Sequence, residues 1–136
     1  MSFWIVSGAA LAWNLIGLFM YYSGVSATPE QLQAVYSPEQ YAAIEATPVW
    51  VTSAFAIATT FGVIASVVLL LRRAAALLLF VVSLVALLVQ DLYLFLLSDS
   101  LAVFGPSLLV VQGSVLLGGV IWIWYARLAK NRGWIA

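Results

Sequence analysis

The chain has 136 residues, 65% of them hydrophobic and 7% charged, with zero formal net charge. Soluble domains carry about a quarter charged residues, so this composition belongs to a lipid-embedded chain and offers no basic surface to nucleic acid. Cys and His are both absent, which removes disulfides, thiol chemistry and ordinary zinc sites.

Four runs reach the roughly 20 apolar residues that a bilayer-crossing helix needs. They lie at about 3–23, 48–71, 74–97 and 107–128. The first is read as a span and not a secretory leader, because no basic residue precedes Phe3. Asn14 stands near its middle, and by helical spacing Gly17, Leu18 and Tyr21 share its face.

Residues 28–47 form the one long polar stretch. Thr28-Pro29-Glu30-Gln31 and Ser37-Pro38-Glu39-Gln40 each place an N-cap hydroxyl, a proline at the first helical position and a glutamine at the third. The spacing predicts two short helices, about 29–36 and 38–46. Leu32, Val35 and Tyr36 make an apolar side for the first, and Tyr41, Ile44 and Ala42 for the second. Two placements are open at this point: a cap over the bundle mouth, or a hairpin resting on lipid headgroups. Thr47-Pro48 reads as a third helix start.

In the second span Ala54, Ala58, Gly62 and Ser66 recur every four residues, a ridge that lets another helix approach closely. Ser114 and Gly118 repeat it on the fourth span. Each ridge fits contact within the chain or an oligomer seam. Arg72-Arg73 alone joins spans two and three, which makes them antiparallel neighbours. Beyond the last basic turn, Gly133 reads as a helix stop.

Charge placement sets the orientation. All five basic residues, Arg72, Arg73, Arg127, Lys130 and Arg132, fall on one side of a four-span topology, and Glu30, Glu39, Glu45 and Asp99 on the other. The positive-inside rule then puts both termini in the cytoplasm and the 28–47 segment outside. This complete bias argues against dual insertion, so any oligomer is expected to be parallel.

Polar residues inside the spans are few and informative. Counted from the helix ends, Gln90, Asp91 and Gln112 share one layer in the outer leaflet, with Asn14 deeper and Thr52 and Ser53 opening the second span above. Asn14, Tyr21, Gln90, Asp91 and Gln112, with Trp50 at the interface, make the candidate ligand-binding set. Asn and Gln in membrane helices commonly just bond a neighbouring helix, typically contributing about 0.6 kcal/mol, and Asn14 suits that role. Asp91 is costlier to bury and has no intramembrane cation to pair with. It is the strongest single candidate for function, and if transport occurs it is the proton-sensitive group. No activated nucleophile, acid–base pair or phosphate-binding glycine loop is present, so neither an enzyme nor a cofactor or metal site is expected.

Trp13-Asn14 with Gly17, Tyr41 leading to Pro48 and Trp50, Gly62, the Arg72-Arg73 turn, Ser83, Gln90, Trp124-Tyr125-Ala126 and Gly133-Trp134 resemble a family of small four-helix bacterial inner-membrane proteins often labelled sugar transporters. The resemblance covers nearly the whole chain. Asp91 departs from the apolar residue that often follows the third-helix glutamine in that family. The resemblance implies a bacterial cytoplasmic-membrane location.

The resulting expectation is an all-α, integral membrane four-helix bundle with a short helical cap in its first external loop, forming a single domain over 1–136. Its expected role is to bind, and in an oligomer to transport, a small polar or amphiphilic solute in an outer-leaflet pocket. The rival role is an accessory or scaffold subunit of a larger membrane complex, or a lipid-binding protein without transport. Expected partners are membrane lipids, a small-molecule ligand, and a parallel homo-oligomer or larger complex.

Overall fold

The computed structural model describes residues 2–136. Its helices are α1 (Ser2–Ser26), α2 (Pro29–Val35), α3 (Pro38–Glu45), α4 (Val49–Leu70), α5 (Ala75–Leu92), α6 (Ser100–Phe104) and α7 (Pro106–Asn131), with α5 continuing as a π-helical turn over Tyr93–Leu97. The fold is all-α, and α1, α4, the extended α5 and α7 are each long and apolar enough to cross a membrane.

The two short helices start as their sequences dictate. The Thr28 hydroxyl accepts from the Gln31 backbone at 3.2 Å, while the Gln31 side chain accepts from the Thr28 backbone at 2.9 Å. Ser37 and Gln40 repeat the exchange at 3.2 and 3.1 Å. Each box satisfies two donors that a helix start leaves orphaned. Thr28→Ala and Ser37→Ala are each expected to cost about 1 kcal/mol of local stability. Faster amide exchange over 29–45, with α4 and α5 unchanged, is the measurement that checks this.

The expected third start differs. Thr47 donates its hydroxyl to the Ala43 carbonyl at 3.1 Å and so finishes α3, and Pro48 occupies the N-cap of α4 without a side-chain bond. With Thr47 as cap, the third helical residue would be Trp50, which has no side-chain acceptor to return the bond. The α6 turn was not expected either. Gly105, at φ 78°, takes the left-handed conformation that ends α6 and admits Pro106 as the first residue of α7.

Packing runs α1–α4–α5–α7, with α4 and α5 as the central antiparallel pair. The small-residue ridge of α4 explains this closeness: Ala54, Ala58, Gly62 and Ser66 are all buried within the chain. Polar bonds fasten the same faces. Ser83 of α5 donates to the Ala58 carbonyl at 2.6 Å, and Asn14 of α1 donates to Ser66 Oγ at 3.1 Å. On α7, Gly118 is buried and Ser114 is exposed, its hydroxyl returned to the Val110 carbonyl of its own helix.

The end of the bundle bearing the basic residues is filled. Phe3, Ala65, Leu69, Phe80, Tyr125 and Ile135 belong to one buried cluster, which Trp122 and Trp134 flank. The helix stop at Gly133 is realised as a Schellman ending: Gly133 N–H bonds the Lys130 carbonyl and Trp134 N–H the Ala129 carbonyl. This turns the tail back onto the α4–α5 connection. Ala74 N–H then bonds the Ala136 carbonyl at 2.9 Å, Ala136 N–H bonds the Arg72 carbonyl at 3.1 Å, and Arg72 Nε bonds the Trp134 carbonyl at 2.9 Å. Arg72 is the one described non-glycine residue at positive φ, 61°, and these bonds hold it there.

Candidate functional site

The opposite end is hollow. Beneath α2 and α3 lies a cavity of about 390 Å³, within the size range of small-molecule sites. Its roof includes Leu32, Tyr36, Ala43 and Ile44, and its sides Tyr21, Phe55, Leu94 and Phe104. The polar lining comes from Tyr21, Thr52, Gln90, Ser100 and Gln112 among others, and no Asp, Glu, Lys or Arg lines it.

Helical spacing determines which residues reach it. Tyr21 of α1 packs edge-on against Phe55 of α4, with ring centroids 5.3 Å apart, so its ring forms part of the wall. Gln90 is 8% exposed and lies where α5 faces α4, across from Val51 and Thr52. Gln112 enters from α7. Each amide offers two donors and an acceptor to an occupant. Tyr36 of α2 meets Phe104 of α6 at 6.0 Å, edge to face, so the turn before α7 helps close the roof.

Of the six sequence-predicted residues, Tyr21, Gln90 and Gln112 line this cavity together, whereas Asn14, Trp50 and Asp91 do not. Asn14 lies about 10 Å deeper than Tyr21 along α1. Its amide bonds the Ala10 carbonyl at 2.7 Å and Ser66 Oγ at 3.1 Å, and its Oδ1 occupies the space that a side chain on Gly62 would need. It fastens α1 to α4. Trp50 is 46% exposed and packs edge-on against Tyr93, centroids 5.8 Å apart, on the side of α4 away from the cavity wall. Val51, 2% exposed, takes the inward place.

Asp91 is buried at 9% exposure, and its Oδ1 has no hydrogen-bond partner. It follows Gln90 by one residue, about 100° round the helix, so the turn that aims Gln90 into the cavity carries Asp91 away. The widened π turn begins two residues later, at Tyr93.

Along the roof the expected apolar faces hold in part. Leu32, Tyr36 and Ile44 line the cavity, but Val35 is 77% exposed and Ala42 points outward, with Ala43 inside instead. Tyr41 sits in a separate notch with Gln33, Tyr36 and Pro38. There the Glu45 carboxylate one turn on holds the Tyr41 phenol above its ordinary pKa.

Sequence reasoning missed Phe55, Ser100, Phe104 and Leu108. Phe55 and Leu108 sit on long membrane helices, where helical spacing alone does not choose which side meets the cavity. Ser100 and Phe104 had a local signal, the Ser98-Asp99-Ser100 cluster before and Gly105-Pro106 after, which together bracket one helical turn. Compared with family models, curated proteins and solved structures, the chain matches none.

Proposed function

We propose that this chain is a four-span bacterial inner-membrane protein that binds a small polar or amphiphilic solute beneath its helical cap. The cap lies outside and both termini lie in the cytoplasm. The observation that carries this reading is the convergence of Tyr21, Gln90 and Gln112, from three different helices, on one roofed cavity. Amide and phenol groups are costly to leave unpaired in a lipid setting, so an occupant that bonds them gains specificity as well as affinity. The complete segregation of basic residues to the opposite end supports the orientation. Membership of the small four-helix inner-membrane family is part of the same proposal.

Binding fits the geometry better than passage does. The cavity lies in the cap half, while the other half is packed with Phe3, Leu69, Phe80 and Ile135 and sealed by the folded tail.

Native mass spectrometry of the full chain released from its membranes tests the binding role. One small molecule per chain is expected on the natural sequence and absent from the Gln90→Leu/Gln112→Leu double variant. A bare natural chain, or equal retention by the double variant, would count against it. For orientation, the absence of cysteine gives a clean background. Gln33→Cys is expected to react with an impermeant maleimide applied to intact cells, and Lys130→Cys only after the membrane is opened. The reverse pattern would invert the topology.

A further inference from the structure

The cavity has a roof and a floor, but one of its sides is open. Close helix packing runs α1–α4–α5–α7, and among the described residues no comparable packing joins α7 back to α1. Lower in the bundle large side chains fill that gap. The Trp13 ring lies so close to Gly118 that a Cβ there would sit 2.9 Å from its Nε1, and Phe3 stacks on Tyr125 with centroids 6.4 Å apart. In the cap half the gap meets the cavity. Met20 and Val25 of α1 line it while remaining 60% and 51% exposed, so this wall is also part of the bundle's outer surface.

Depth places the opening in lipid. α1 has 25 residues and is about 37 Å long, against about 30 Å of hydrocarbon, which leaves about 4 Å protruding at each end. Tyr21 and Gln112 lie about 8 to 9 Å below the cap ends of their helices, and therefore about 4 to 5 Å inside the hydrocarbon edge. An occupant reaching them from the side arrives from among acyl chains, close to the level at which lipid glycerol and ester groups meet the tails.

We infer that the ligand is an uncharged, single-chain amphiphile of the monoacylglycerol type, which enters sideways between α1 and α7. Its hydroxyl and ester oxygens bond the Gln90 and Gln112 amides while its tail leaves through the gap past Met20, about 5 Å inside the hydrocarbon edge. The chemical class follows from the lining. Amides and hydroxyls suit neutral oxygen groups, whereas a phosphate or an ammonium would enter a lipid-level site without a counter-charge. This rests on the cap-cavity reading and adds the route and the ligand class to it.

The test uses the full chain in lipid nanodiscs with a monoacylglycerol bearing a photoreactive diazirine near its tail carbonyl. Adducts are expected on residues 20–25 and 108–112, displaced by unlabelled monoacylglycerol but not by lysophosphatidylglycerol or free glycerol. Gly24 lines the cavity, and a Cβ there meets no atom within 4 Å, so Gly24→Trp starts its side chain from open space and adds bulk at the cap-side rim of the opening. By obstructing the opening it is expected to reduce labelling about tenfold, or about 1.4 kcal/mol. Gly8→Trp is the control, on equally open space at the far end of α1, and should leave labelling unchanged. Uncompeted adducts scattered along the lipid faces of α1 and α7 would overturn the inference, as would equal displacement by the charged lysolipid. If either result came with a small molecule still held through Gln90 and Gln112, the sideways route or ligand class would be wrong and the cavity reading would survive. If no molecule were held either, both would fail.

Discussion

Gly62→Val is expected to destabilise the bundle by about 2 to 3 kcal/mol, the upper range for inserting bulk into a packed core. A Cβ at Gly62 would overlap Asn14 Oδ1, lie 3.0 Å from Asn14 Cγ and come within 3.4 Å of Ser83 Oγ. Those two side chains fasten α1 and α5 to α4, through Ser66 and through the Ala58 carbonyl. One methyl-bearing residue therefore disturbs both central packings at once. Asn14→Ala alone removes a single interhelical bond and should cost only about 0.6 kcal/mol. Combined with Gly62→Val it should recover most of the loss, because it vacates the space the valine needs. Reversible unfolding in mixed micelles, followed by circular dichroism, measures this non-additivity. Purely additive losses would mean that Asn14 and Gly62 are not in contact.

Ile135→Ala is expected to cost about 3 kcal/mol, as for other fully buried aliphatic truncations. Ile135 is 3% exposed although it lies beyond the last helix, because the tail folds back beneath Phe3, Phe80 and Tyr125. Ile121→Ala removes the same atoms from a side chain that is 43% exposed on α7. In lipid that face exchanges one apolar contact for another, so a change within about 0.5 kcal/mol is expected. Thermal unfolding of the two variants in one detergent makes the comparison. Equal losses would show that the tail is not part of the core.

Asp91 is buried with no partner on its Oδ1, and its position explains a limit of sequence reading. Counting residues from the helix ends was enough to put Gln90, Asp91 and Gln112 at one depth, since rise per residue is constant. It did not settle which of two adjacent buried residues on α5 faces the cavity. That depends on the helix's rotation, set by how α5 lies against the small-residue ridge of α4, a tertiary fact. Trp50 and Val51 pose the same problem on α4, and there the aromatic faces Tyr93, away from the cavity. Asn14, included in the candidate set although a fastening role suited it, bonds Ser66 of α4, the common role of a lone asparagine in a membrane helix.

Architecture was easier to read, for reasons equally physical. A bilayer demands helices of a certain length, so four apolar runs sufficed for the four long elements. The cap helices declared themselves through capping boxes, whose bonds are local and need nothing from the rest of the fold. By contrast α6 is five residues long and packs on α3 and α7, so its existence depends on partners distant in sequence.

The most direct check on the cavity compares two neighbours on α4. Thr52 lines the hollow and Ser53 is exposed outside it. Thr52→Cys and Ser53→Cys are each treated with a small maleimide in nanodiscs, with and without monoacylglycerol. The amphiphile is expected to slow modification at position 52 about tenfold, as saturating occupancy would, and to leave position 53 unchanged. A rate at position 52 that the amphiphile leaves unchanged would contradict an uncharged amphiphile held beneath the cap.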